Sequence, residues 1–396
     1  MRRKSVVTFF ALLLVALGQF AIDIYLPSLP AMVDNLHADK HSVQLTLTFF
    51  LIGFAVSQLI YGPLSDRFGR RKILLIGLTI FLVGAVGASL AQTVSFLVGM
   101  RLIQGLGIGA ANVLCRAILH DLYTGKECAK KVSTLGVLWV LSPIIAPVIG
   151  GYIQEYAGWR MNFIFLICFV GLVWLWCIFF LPETKDLGQI QSIHPRAIIK
   201  NYAFLLSCRP FVGYVFVDFF MYGILSAFYV AGPFLLQTVL KISPIMFGWM
   251  MLIISCGYMI GTSINLLLLH HWEPRQIIRC GLLLIFVISS ILLTIAWFGI
   301  FSVTAIVVPL TILFCAIALI FTNCISVCLS FSHHLAGSTS ALWGFLAYLG
   351  GTLSTFVMAA LPEESQLPLS VVVFALCSLA ILSVLWGNFV RLSKID

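Results

Sequence analysis

The chain is 396 residues long, 61% hydrophobic and 9% charged, with a mean hydropathy of +1.09; a soluble globular domain is about 45 to 50% apolar, so this composition excludes a water-soluble globule and puts the chain in a bilayer. Lipid satisfies no free backbone group, so spans must be helices or a closed barrel, and continuous apolar runs in place of alternation choose helices, each of roughly 20 residues. The formal charge of +9 would suit nucleic acid only if the cations shared one aqueous face. The eleven cysteines include no CxxC pair and read as small core residues, not as a disulfide or metal framework.

Taken in order, the start MRRKSVVTFFALLLVAL has the charged head and apolar body of a secretory signal. The run continues past Gly18 without a small-residue cleavage pattern, so it reads as a retained first span, Val6 to Leu29. It carries Asp23, seventeen residues in, or roughly 26 Å at about 1.5 Å per residue. The second span covers Gln44 to Gly62. Next comes GPLSDRFGRRK, Gly62 to Lys72, where five of eleven residues are charged. Gly62 and Gly69 there allow a tight turn and close helix approach, and Asp66 sits at a membrane boundary where a charge needs a partner.

The third span is Ile73 to Ala91 and the fourth Val94 to Leu119, which holds RLIQGLGIGAANVL from Arg101. Its Gly105 and Gly109 do not follow a G-x-G-x-x-G nucleotide pattern and read as helix packing. Arg101 is a cation well inside a span, functional or paired by default. Counted from the far side it lies about 20 Å up a core of some 30 Å, level with Asp23, so the two are expected to pair and the proton occupancy of Asp23 to respond to that cation. A permanent structural ion pair is the plainer alternative. Span five, Val132 to Ile153, contains SPIIAPVIGG, whose Pro143 and Pro147 should kink the helix and whose Gly150 and Gly151 let a neighbour pack close. Span six is Met161 to Leu181.

A polar stretch from Pro182 to Pro210 follows. Six more spans come after it: Phe211 to Thr238, Ile245 to Leu269, Ile277 to Phe298, Ser302 to Cys328, Ser338 to Leu361 and Leu369 to Val390. The expected organisation is an N-terminal six-helix half (1–181), a linker (182–210) and a C-terminal six-helix half (211–396). Asp218, in span seven, is a candidate second titrating group, with interfacial snorkelling as the competing reading. The eight histidines fall in loops or near span ends, His333 and His334 included, and imply neither a proton relay nor a metal centre. Tyr25, Gln104, Asn112, Trp139, Tyr222, Tyr229 and Asn323 are candidates to line a cavity for amphipathic ligands.

With a cytoplasmic N-terminus, nineteen of the twenty-three cations fall on that side, leaving Lys40, Arg160 and Lys241 opposite and Arg101 within a span. The positive-inside rule then sets both termini and the linker in the cytoplasm. The net charge is thus explained by topology, without nucleic acid.

The stretch Gly62, Leu64, Asp66, Arg67, Gly69, Arg70, Arg71 resembles the loop signature of the major facilitator superfamily. That resemblance implies an all-α membrane fold of 12 spans in two halves that rock around a central cavity. It also implies a cytoplasmic gate in which Asp66 and Arg67 or Arg70 form a relay with Asp121, with Arg71 in the same signature. SPIIAPVIGG is similar to the superfamily's exporter motif at Pro147, Gly150 and Gly151, with Ala146 where glycine is usual, and the Arg101 stretch to a span-four motif linked to proton coupling. IDIYLPSLP, with Trp159–Arg160 and Pro182–Thr184, resembles the bicyclomycin and chloramphenicol resistance group of exporters. In the C-terminal half, AGPF and LAGSTSAL fit, while HHWEPRQ is a poor copy of the loop motif.

The resulting expectation is a proton-driven antiporter of the inner membrane, acting as a monomer and expelling small amphipathic compounds, with a dedicated exporter of one metabolite, such as a siderophore or nucleoside, as the alternative. The proton gradient supplies the energy and no cofactor is implied. No catalytic constellation for a membrane enzyme is found, and the phosphate loop of an ATP-driven pump, G-x-x-x-x-G-K-[ST], is missing.

Overall fold

The computed structural model describes residues 2–123, 125–185, 195–331, 335–362 and 364–392, and among them there are helices and turns but no strand. Eleven helices are long and apolar enough to cross a membrane among the described residues. The fifth expected span lies within a further helix, Gly125–Ala157, several of whose side chains fall outside those described. His333, His334 and the side chains of Arg2, Arg3, Lys4, Lys126, Lys130, Arg196, Arg391 and Lys394 also lie outside them.

In chain order the helices are α1 (Arg2–Asp23), α2 (Leu29–Asn35), α3 (Lys40–Phe68), α4 (Arg70–Ser89), α5 (Val94–Leu122), α6 (Gly125–Ala157), α7 (Trp159–Phe180) and α8 (Pro195–Ser207). They continue with α9 (Arg209–Pro233), α10 (Pro244–Leu268), α11 (Pro274–Trp297), α12 (Val303–Ser330), α13 (Ala336–Ala359) and α14 (Leu367–Leu392). The chain divides into two compact units. One comprises Met1–His194 with Pro244–Gly248, the other Pro195–Ser243 with Trp249–Asp396.

Two departures from the sequence reading bear on function. The first span is broken: α1 stops at Asp23, a 3-10 turn covers Leu26–Ser28, and α2 resumes the path at Leu29. Pro27 and Pro30 supply the reason, because neither has an amide hydrogen to donate to a carbonyl one turn back, so the helical ladder is interrupted there. The second departure concerns the loop between spans two and three, which was expected to turn on Gly62 and Gly69. In the structure α3 runs through Gly62 and Pro63 to Phe68, and Gly69 alone makes the turn before α4 begins at Arg70. Its φ of 94° is open to glycine and strained for other residues. A Cβ at Gly62 would meet only Val113, at 3.9 Å.

In the first unit α5 is the central helix, packed against α3 on one side and α4 on the other. Its small residues allow this. A Cβ added at Gly105 would run into the carbonyl of Phe50 and one at Gly109 into the Ser57 hydroxyl, so close approach of the backbones makes up for the weak hydrophobic drive between helices in lipid. In the second unit α9 holds the equivalent place, flanked by α13, α14 and α12.

Candidate functional site

The break in span one positions Asp23. It is the last residue of α1 and fully buried, and neither of its carboxylate oxygens has a partner with good hydrogen-bond geometry, although the Gln19 side chain approaches the carboxyl group. Gln19, one helical turn earlier, is also buried and leaves its Oε1 unpartnered. Burying a carboxyl group with so little hydrogen bonding is costly.

The expected pairing of Asp23 with Arg101 does not form. Arg101 does lie at this level, but its Nη1 and Nη2 donate to the carbonyl of Ala21 at 3.3 and 3.2 Å, and Nη1 donates to Gln104 Oε1 at 2.9 Å. The guanidinium stacks on the rings of Tyr25 and Phe50, 4.1 and 4.2 Å from their centroids. The physical reason is the broken span. Carbonyls at the C-terminal end of α1 carry the negative end of the helix dipole and need donors, and a planar cation with two parallel N–H groups and aromatic faces above and below satisfies that need in a dry site. Arg101 is therefore a cap and brace for the broken helix.

The exporter-like stretch meets the same point. Ser142 Oγ donates to the Ala16 carbonyl at 3.5 Å, Pro143, Ala146 and Pro147 are buried in α6, and Gly150 packs directly on the carbonyl of Ile24, where a Cβ could not fit. The contact with α1 thus falls on the residue after Asp23. Gly151 approaches the carbonyl of Pro244, from the short segment that belongs to this unit, with room of only 2.5 Å for a Cβ. Of the cavity candidates in this unit, Tyr25 and Gln104 are engaged with Arg101. Asn112 donates to Gln58 Oε1 at 3.3 Å, and Trp139 is half-buried on α6.

At the α3–α4 corner the charges form one network. Arg70 Nη1 lies 2.8 Å from Asp66 Oδ1, and its Nε lies 3.1 Å from Asp121 Oδ2; Nη1 also donates to Ser65 Oγ at 2.6 Å. Arg70, not Arg67, is thus the relay cation. Arg67 is exposed and lies over the Phe68 ring. Sequence reading missed the other members. Glu183 accepts the amides of Arg70 and Arg71 at 2.8 and 3.2 Å, filling the open N-terminus of α4. Thr184 Oγ1 donates to Asp121 at 3.0 Å and Lys185 Nζ to Asp66 at 2.9 Å. Arg71 caps the carbonyl of Ile178. The signal available was the Pro182–Glu183–Thr184 triplet, read only as a family mark.

In the second unit Asp218 is fully buried, so it does not snorkel. Trp343 Nε1 on α13 donates to its Oδ2 at 2.6 Å, and the buried Cys324 thiol on α12 also interacts with the carboxyl group. Tyr222, one turn along α9, meets Tyr348 edge-on at 4.8 Å. Asn323 Nδ2 donates to Asn265 Oδ1 at 2.6 Å, and Tyr229 is buried. Trp343 had no signal in the sequence.

The model of the Major Facilitator Superfamily matches residues 8–355. The chain belongs to that superfamily. It is 30% identical to a protein of Bacillus subtilis named "Uncharacterized MFS-type transporter YdgK", over 94% of this chain and 93% of that protein. It is 27% identical to the "Bicyclomycin resistance protein homolog" of Haemophilus influenzae, over 93% and 92%, a similarity consistent with the resemblance to the bicyclomycin and chloramphenicol resistance group. Its fold is similar to that of a solved D-xylose-proton symporter, with a TM-score of 0.75 at 17% identity over 97% of this chain and 96% of that one. This member of the superfamily is a transporter and not an enzyme.

Proposed function

We propose that this transporter is a proton-coupled exporter of small amphipathic compounds, with Asp23 as the coupling carboxyl group. The observation that carries the reading is the state of Asp23, which is wholly buried, paired with no cation among the described residues, approached by the Gln19 side chain without a well-formed hydrogen bond, and placed at the break of the first span. Such a group is poised to exchange a proton for a ligand, so that proton and substrate compete for one state of the site. Gly150 packs α6 against the same break, which ties the exporter-like stretch to the coupling group. The names of related resistance proteins support drugs as the substrate class.

In this reading the corner built on Arg70 acts as a cytoplasmic gate element, Asp218 is a second proton site, and the protein works as a monomer in the inner membrane with both termini in the cytoplasm. Concentrative efflux by everted vesicles, measured across a panel of drugs and metabolites with and without a protonophore, tests it. Export of several unrelated drugs that stops when the proton gradient is dissipated supports the proposal. Export of one metabolite only replaces it with the dedicated exporter.

A further inference from the structure

On the outer face of the second unit, α9 and α14 leave a groove of about 350 Å³ lined by Val212, Phe216 and Phe220 on one side and Leu379, Leu382 and Trp386 on the other. Its floor is where the helices touch, since a Cβ at Gly213 would lie 2.9 Å from the Ser383 carbonyl and 3.0 Å from Gly387 Cα. At one end the exposed Arg209, first residue of α9, holds its guanidinium 6.0 Å from the Trp386 ring.

The segment leading into that end has the character of an interfacial helix. α8 anchors itself through Leu205, 1% exposed, while Ile199, Phe204 and Leu206 are exposed apolar residues and Lys200 is an exposed cation. An amphipathic helix of this kind lies at headgroup depth, which sets Arg209 at the same depth and runs the groove toward the membrane interior. From Pro195 to Arg209 the sequence has Arg196, Lys200 and Arg209 and no acid.

We propose that this groove is a binding site for an anionic phospholipid, with an acyl chain along Phe216, Phe220, Leu382 and Trp386 and the headgroup phosphate on Arg209. Apolar lining beneath the exposed Arg209 guanidinium matches the two parts of such a lipid, and the absence of any acid from Pro195 to Arg209 favours a headgroup of net negative charge. A second copy of the chain is the poorer occupant. A twofold interface sets a patch against itself and would gather two copies of Arg209 on one interface, with no acid from Pro195 to Arg209 to offset them.

The test uses the full chain reconstituted in phosphatidylcholine vesicles, with increasing fractions of phosphatidylglycerol or phosphatidylcholine carrying dibrominated acyl chains, which quench nearby indoles. Subtracting the signal of Trp386→Phe from that of the unaltered protein isolates Trp386. The proposal expects quenching of Trp386 at a roughly fivefold lower fraction of the brominated anionic lipid, the preference that one cation near an anionic surface provides. Arg209→Gln, read against its own Trp386→Phe partner, should lose that preference and Arg209→Lys should keep it. Equal quenching by both lipids, a preference that survives Arg209→Gln, or a Trp386 that neither lipid reaches because another chain covers it would each overturn the proposal.

Discussion

The guanidinium of Arg101 donates two hydrogen bonds to the carbonyl of Ala21, two residues before Asp23, and makes none to the Asp23 carboxyl group. The cation therefore holds the helix that carries the acid and does not neutralise the acid itself. Arg101→Lys separates these roles, since lysine keeps the charge but loses the fork and the stacking on Tyr25 and Phe50. It should cost about 1 to 3 kcal/mol in stability and slow efflux, while the midpoint of the pH dependence of efflux stays where it is in the unaltered protein. A shifted midpoint would indicate a charge pair after all.

Gly150 and Ala146 make opposite predictions four residues apart. Gly150→Ala sets a methyl group against the Ile24 carbonyl, and overpacking of this kind costs about 1 to 3 kcal/mol. It should disturb the break after Asp23 and abolish active efflux. Ala146→Gly removes a single buried methyl group, worth roughly 1 kcal/mol, and should transport nearly normally, with no rise in proton leak across vesicle membranes.

The relay at the α3–α4 corner predicts unequal arginines. A double-mutant cycle between Arg70 and Asp121, read as thermal unfolding in detergent, should give a coupling of about 1 kcal/mol. Arg67→Gln should stay within about 0.5 kcal/mol of the unaltered protein. At Gly69 both the positive φ and the Glu183 carboxylate, 2.5 Å from a would-be Cβ, oppose a side chain, so Gly69→Ala should lose about 1 to 3 kcal/mol.

Trp343→Phe keeps a ring beside Phe321, 5.2 Å away, but takes the N–H donor from Asp218. A buried acceptor left without its partner costs about 1 to 3 kcal/mol. Adding Asp218→Asn to that variant should cost less than the sum of the two single changes, measured by unfolding. Simple additivity would mean that the 2.6 Å bond contributes nothing.

The apolar runs made the spans legible, because lipid demands long continuous helices, and the glycines of span four announced close packing. The charged corner was legible as a relay, but the choice of Arg70 over Arg67 depends on where one turn ends: α3 continues through Gly62 to Phe68, and that extension turns Arg67 outward. The break after Asp23 was written in Pro27 and Pro30, yet a window of hydropathy passes over prolines, so the span reads as continuous and Arg101 is matched to the acid at its own depth instead of to the freed helix end. Glu183 and Trp343 act across distances of 113 and 125 residues in sequence. No local pattern encodes such partners.

Substrate-induced proton release tests the central claim most directly. The purified protein is held in weakly buffered detergent solution with a pH indicator while a transported neutral drug is added. The account predicts that the unaltered protein releases protons on binding and that Asp23→Asn binds the drug without releasing any, and shows no concentrative efflux in vesicles. Full proton release together with full concentrative efflux from Asp23→Asn would contradict it and pass the coupling role to another group, Asp218 first.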